Sequence, residues 1–217
     1  MQSYQKISCG LVFLRFSAAR CSLFAPRPFT EQRQPKMEER ILSEQCRAGD
    51  RRAWHALYDR YAGRLLALCI RYAGSRTEAE DLLHDAFLKI FGSFDRFTYR
   101  GSGSLRAWIE RVTINLAIER LRSGNRIDLR PLDELTTRLP EPAAEAIDRI
   151  PQEELLRMVG ELPDGYRTIL NLYCLDGYSH REIARMLGIT EKSSSSQLTR
   201  ARALLAARVR EYLNQER

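Results

Sequence analysis

A chain of 217 residues, 44% hydrophobic, has room for one large domain or two small ones and enough apolar side chains to bury real cores. Its net charge of +7 is uneven: residues 1–36 hold six lysines and arginines against one glutamate, net +5, which leaves about +2 from Met37 onward and makes the overall pI weak evidence for a partner. The five cysteines form no C-x-x-C pair and stand at no metal-ligand spacing from His55, His84 or His180, so no metal site is indicated.

The first 36 residues hold a short apolar stretch, Leu11–Leu14, interrupted by Arg15 and followed by prolines at 26 and 28. That is neither a secretory signal nor the run of about 20 apolar residues a membrane helix needs. Met37 opens a more regular helical pattern, so Met37 is expected to be the natural start and residues 1–36 a disordered or mis-called extension. From Arg51 to Ala73, Trp54, Leu57, Tyr58, Tyr61, Leu65, Leu68, Cys69 and Tyr72 recur every three or four residues, which predicts a long amphipathic helix. Gly74 and Ser75 break it, and Thr77 with Glu80 forms a capping box ahead of Leu82, Leu83, Ala86, Phe87, Ile90 and Phe91. A loop from Gly92 to Ser104 carries three glycines and the aromatics Phe94, Phe97 and Tyr99. The next helix runs from Leu105 to about Arg122, with Leu105, Trp108, Ile109, Val112 and Leu116 on one face and Arg106, Arg111, Arg120 and Arg122 elsewhere.

Between 123 and 152 the periodicity dissolves among prolines 131, 140, 142 and 151 and an excess of acids, the pattern of a flexible tether. Helical spacing resumes at Glu153, breaks at Leu162–Pro163, and returns from Tyr166 to Leu175. No strand alternation longer than a few residues occurs. The expected fold is all-α, with two small helical domains at about 38–122 and 153–215. Cys69 and Cys174 fall in apolar runs and read as core residues. An odd cysteine count without an export signal points to reduced thiols in a cytoplasm.

The segment Tyr178–Leu205 has the layout of a helix-turn-helix. Ser179 and Glu182 form a capping box, Ile183, Met186 and Leu187 an apolar face, Gly188 a left-handed stop, and Ile189 plugs the turn. Thr190 can cap a second helix bearing Lys192, the hydroxyls of Ser193–Ser196, Gln197, Arg200 and Arg202. The five cations from Lys192 to Arg210 meet no acid in that stretch. Short hydroxyls and amides at the front of such a helix can reach base edges while arginines take phosphates. The plain alternative is a helical hairpin with a solvated basic face.

Three motifs in collinear order, AEDLLHDAFLKIF, FDRFTYRGSGSLRAWIERVTINLAIERLR and LPDGYRTILNLYCLDGYSHREIARMLGIT…SQLTRAR, resemble the extracytoplasmic-function sigma factors, the small two-domain members of the main bacterial sigma family. The resemblance spans roughly residues 40–212. It implies that the first domain, sigma region 2, docks on the β′ clamp of RNA polymerase and opens the −10 promoter element. The second, region 4, would bind the −35 element and the β flap. An anti-sigma protein masking either surface is a further implied partner, alongside core polymerase and promoter DNA.

By the same resemblance Asp81, Leu82, His84, Asp85 and Phe87 fall in the clamp-binding segment. His84 and Asp85 depart from the more usual Gln and Glu but keep polarity, and Phe87 reads as core. Asp81 and Asp85 share a face, where like charges cost a few tenths of a kcal/mol unless a cationic partner offsets them. The loop and the helix after it would capture an unpaired −10 base, with Phe97, Tyr99, Arg100, Arg106, Arg111 and Asn115 as candidates. Stacking there is worth about 1–3 kcal/mol per base. Phe97 and Tyr99 can equally pin the loop to the bundle, and Trp108 reads as core. In region 4 the candidates are Lys192, Ser193, Ser195, Ser196, Gln197, Arg200 and Arg202, over a buried seam of Leu198, Ala201 and Leu205.

The family usually has a β-branched apolar residue at position 194 and often glycine at 192. Ser194 is therefore expected to weaken docking of the recognition helix by about 1 kcal/mol. Four serines in a row lower helix propensity, so fraying without DNA is expected. The chain shows no nucleophile–base pair, and GSGS at 101–104 lacks the lysine of a phosphate loop, so neither catalysis nor a cofactor is indicated. The competing expectation is a dimeric helix-turn-helix regulator that binds an operator without polymerase.

Overall fold

The computed structural model describes residues 38–124 and 150–215. The expectations for residues 1–36, the start at Met37 and most of the 123–152 tether lie outside them. Two compact units divide the chain after Glu119, close to the end of a long helix. Every regular element among the described residues is helical.

In the first unit α1 (Glu39–Arg47) is followed by α2 (Arg51–Tyr72), α3 (Arg76–Gly92), a 3₁₀ turn (Phe94–Arg96) and α4 (Ser104–Ser123). Asp50 starts α2 by accepting from the Arg52 amide at 2.8 Å. Leu57, Leu65, Leu68, Cys69 and Tyr72 of α2 are buried with Ala79, Leu83, Ala86, Phe87 and Ile90 of α3. Cys46 is also buried, and desolvation pushes its thiol up to about 12, so it stays protonated and inert.

The start of α3 corrects the sequence expectation. Its N-cap is Ser75, which accepts from the Glu78 amide at 3.2 Å, while the Glu78 carboxylate accepts from the Gly74 amide at 2.8 Å. Because the helix begins at Arg76, Thr77 already lies inside the first turn. Glu80 instead pairs with Arg76 at 2.9 Å.

The second unit contains α5 (Gln152–Gly160), α6 (Asp164–Leu170), a π-helical turn (Asn171–Leu175), α7 (His180–Leu187) and α8 (Glu191–Gln215). The helix predicted over Tyr166–Leu175 thus starts earlier and changes pitch at Asn171. Cys174, expected in the core, is half-buried after that change. Arg167 is buried against Asp164 and donates to the Gly160 carbonyl at 2.7 Å, closing the end of α5. Ile183 and Leu187 of α7 are buried together with Leu198, Ala201, Leu205 and Val209 of α8.

Candidate nucleic-acid interface

The α3 surface is built by heptad spacing. Asp81, His84, Asp85 and Leu88 stand at i, i+3, i+4 and i+7 and form one stripe. Asp81 and His84 are exposed, Asp85 is half-buried, and Leu88 is 57% exposed. Leu82, expected to share this surface, is 3% exposed, because one residue round the helix turns it into the bundle. Nothing in the sequence marks Leu88 as exposed. A leucine at a helical apolar spacing reads as core, and only the placement of α2 against the neighbouring face leaves it outside. Phe87 is core, as expected, and its ring lies 4.6 Å from that of Tyr58.

The loop after α3 is anchored by aromatics. Phe97 is 2% exposed and packs edge-on to Phe94 at 5.8 Å and against Trp108 at 5.2 Å. Of its two expected roles, stacking on a base and pinning the loop, burial leaves only the second. Trp108 is half-buried, contributing one side to this cluster. Beyond Phe97 the chain turns outward: Thr98, Arg100 and Ser102 are exposed and Tyr99 is half-buried. Gly101 at φ 122° and Gly103 at φ 84° occupy backbone that a side chain would strain, which fixes the sharp return into α4. On α4, Arg106, Arg111 and Asn115 are all exposed, the last two one helical turn apart. Glu110 and Glu119 pair with Arg64 and Lys89, the second pair at 2.7 Å.

The helix-turn-helix forms as its spacing predicts. The Ser179–Glu182 capping box closes on both sides, with the Ser179 amide donating to Glu182 at 2.8 Å. Gly188 takes the left-handed conformation at φ 69°. Thr190 caps α8 by accepting from the Ser193 amide at 3.0 Å. Lys192, Ser195 and Ser196 are exposed, and Ser193 and Arg200 are half-buried. Two expected contacts move inward. Gln197 is 4% exposed, on the same side of α8 as Ser194 and Ala201, so it lies inside the unit. Arg202 lies over the Tyr173 ring, 5.9 Å from its centroid. Arg208, in the same basic run, pairs with Glu161 and donates to its carbonyl at 3.0 Å. The sequence showed no acid near these arginines because their partners come from other helices. Arg181 and Arg185, which no sequence motif marks as contacts, are exposed one turn apart on α7.

Ser194 also departs from expectation. It is fully buried, but its hydroxyl is hydrogen-bonded to Nδ1 of His180 at 3.0 Å. The His180 ring stacks on Tyr173, centroids 4.4 Å apart. The pairing offsets the desolvation of the hydroxyl, so the polar seam is satisfied rather than weakened. Burial, and after it the Arg202 guanidinium, hold the His180 pKa below its usual value against the opposing pull of Glu191. In the structure α8 is continuous from Glu191. The Thr190 cap holds the front of the serine run, and Ser196 and Thr199 hydroxyls donate back to helix carbonyls at 3.1 Å.

No group of residues able to hold a metal occurs among the described residues, and no described helix is long and apolar enough to cross a membrane.

Two family models match the chain: sigma-70 region 2 over residues 57–127 and sigma-70 region 4 over residues 152–205. The chain is 33% identical over 177 residues to the ECF RNA polymerase sigma factor SigM of Mycobacterium tuberculosis, covering 77% of this chain and 82% of that protein. It is 30% identical to SigE of Mycolicibacterium smegmatis, covering 74% of this chain and 62% of that protein, and 28% identical to SigW of Bacillus subtilis, covering 77% and 95%. A solved structure of CnrH in complex with the cytosolic domain of CnrY matches with TM-score 0.44 and 27% identity, covering 79% of this chain and 97% of that one.

Proposed function

The chain belongs to the extracytoplasmic-function RNA polymerase sigma factors, which direct promoter-specific transcription initiation, and on that premise we propose how its two units divide the work. The first unit docks on the β′ clamp through the α3 stripe of Asp81, His84, Asp85 and Leu88. Its loop and α4 then take the −10 element, with Tyr99 available to stack on an extruded base and Arg100, Arg106, Arg111 and Asn115 available to phosphates and polar base edges. The second unit places α8 in the major groove of the −35 element and binds the β flap. Lys192, Ser193, Ser195, Ser196 and Arg200 face that groove, and Arg181 and Arg185 of α7 lie where the first helix crosses the backbone.

The observation that carries this reading is the helix-turn-helix with its reciprocal cap and left-handed glycine, which leaves a polar, cationic front on α8. Neither unit needs high affinity. Polymerase holds both in register, and each raises the effective concentration of the other at its element. The protein acts in the cytoplasm as a specificity subunit without chemistry of its own. An anti-sigma protein that covers the α3 stripe or the α8 front would silence it.

The full chain combined with sigma-free bacterial core polymerase on genomic fragments is expected to give discrete transcript starts sharing two upstream elements. Failure of core binding and initiation, with the protein alone shifting palindromic DNA, would instead establish the dimeric regulator, a reading to which none of the relatives above lends support.

A further inference from the structure

The loop bearing Tyr99 and Arg100 is held at both ends by a helix that contributes none of the residues assigned to DNA or polymerase. At the far end, the Glu39 carboxylate accepts from the amides of Gly103 at 2.6 Å, Leu105 at 2.7 Å and Arg106 at 3.4 Å, with Glu39 only 9% exposed. At the near end, Arg47 donates to the Phe97 carbonyl, and the Phe97 ring is locked between Phe94 and Trp108. Glu39 and Arg47 are the first and last residues of α1, a rigid span of about 12 Å at the rise of an α-helix. Between the two fixed points Thr98, Arg100 and Ser102 are exposed while Tyr99 and Gly101 are half-buried, and the Ser104 hydroxyl donates to the Gly101 carbonyl at 2.6 Å.

The chemistry of this arrangement is specific. The first amides of a helix have no partner within it and carry the positive end of its dipole, so a carboxylate there makes charge-assisted bonds. Such a cap usually comes from the residue just before the helix. In α4 it comes from more than 60 residues upstream, so the cap couples two elements instead of finishing one. Gly101 and Gly103 give the return limb wide backbone freedom, which these bonds reduce together with those of Ser104 to Gly101 and Arg100. A loop that must close on one base and reject others gains from being ordered beforehand, since the ordering cost then falls on folding and not on binding.

We propose that α1 is a brace that sets the opening of the base-capturing loop, with Glu39 and Arg47 as positioning residues for base selection at the −10 element. This rests on the reading above that the loop captures a −10 base. On this proposal the two residues act through the loop, by holding its two ends.

The test uses the full chain with core polymerase and four promoters that differ only in the base captured at the −10 element. Readouts are transcription from each promoter and affinity for core. Glu39→Gln keeps the shape and one neutral acceptor, and Arg47→Gln cuts the other end. Each is expected to narrow the ratio between the preferred base and the other three by about tenfold, the effect of losing one charge-assisted hydrogen bond, with core affinity unchanged. Glu39→Asp, which keeps the charge on a shorter arm, is expected to recover part of that ratio. An unchanged ratio in both variants would overturn the brace while leaving the loop reading intact. Equal loss on all four promoters together with weaker core binding would make α1 an ordinary core element and overturn it as well. Tyr99→Ala and Arg100→Ala serve as the separate check: if neither changes the ratio, the loop does not select the base, and both readings fall.

Discussion

Gln197 shows how one residue changes meaning with its surroundings. As an amide near the front of a recognition helix it has the chemistry to read adenine, yet it sits inside the second unit. Gln197→Ala, which removes a buried side chain from the interior of that unit, is therefore expected to destabilise it by about 1–3 kcal/mol, seen as a lower unfolding midpoint. Arg200→Ala should leave stability within about 0.5 kcal/mol but weaken −35 binding, and the salt slope of that binding should fall by about one. His180 gives a second test at this scale. Its folded-state pKa is lowered, first by burial and then by Arg202, so the neutral ring is the form that folding favours. That contribution is complete above the ordinary value of 6.5 and is lost as pH falls through the lowered folded value. Urea unfolding followed downward from pH 7.5 should show the second unit weakening below 6.5. His180→Gln, which can still bond Ser194 but does not titrate, should remove that part of the slope.

Among the elements, α3 and α8 both depend on hydroxyl caps whose position decides the outcome. Ser75→Ala is expected to cost about 1 kcal/mol and Thr77→Ala less than about 0.5 kcal/mol, measured by denaturant unfolding. The reverse order would restore the cap expected from sequence. In α8 the Thr190 cap and the buried Ser194 hold the serine run in place. Amides of Ser194–Ser196 are expected to be protected from hydrogen exchange in the free protein, and exchange at the rate of an unstructured chain would return the frayed helix. The π-helical turn at Asn171–Leu175 belongs to the same scale. It shifts the register after α6, and Tyr173, which lies within it, stacks on His180 and lies under Arg202.

For the whole molecule, the proposed function spreads recognition over separate surfaces on two units, so each surface can be weak and still count. Leu88 is the sharpest probe of the proposed polymerase surface. Leu88→Ala is expected to lower core-polymerase affinity by about 1–2 kcal/mol while leaving unfolding unchanged, because the side chain is already in water in the free protein. Loss of stability without loss of core affinity would place Leu88 outside the docking surface. Charge shows the same distribution. The basic run at the end of the chain reads as one patch in sequence, yet Arg202 and Arg208 face Tyr173 and Glu161 within the second unit. Lys192 stays exposed and Arg200 half-buried.

What the sequence determined by itself is local and periodic. The Ser179–Glu182 box, the left-handed Gly188 and the Thr190 cap depend on residues within a few positions of each other, and all three appear where the pattern puts them. The order of three motifs was enough to indicate the family. What only the tertiary structure decided depends on partners far along the chain. Whether Gln197, Leu82 and Phe97 face inward, and whether Leu88 faces out, depends on which side of each helix a neighbour covers. The bond from Ser194 to His180 crosses two helices, and the hold of Glu39 on α4 crosses more than 60 residues. Periodicity defines a face but not what lies against it, and a hydrogen bond between distant segments leaves no spacing in the sequence to read.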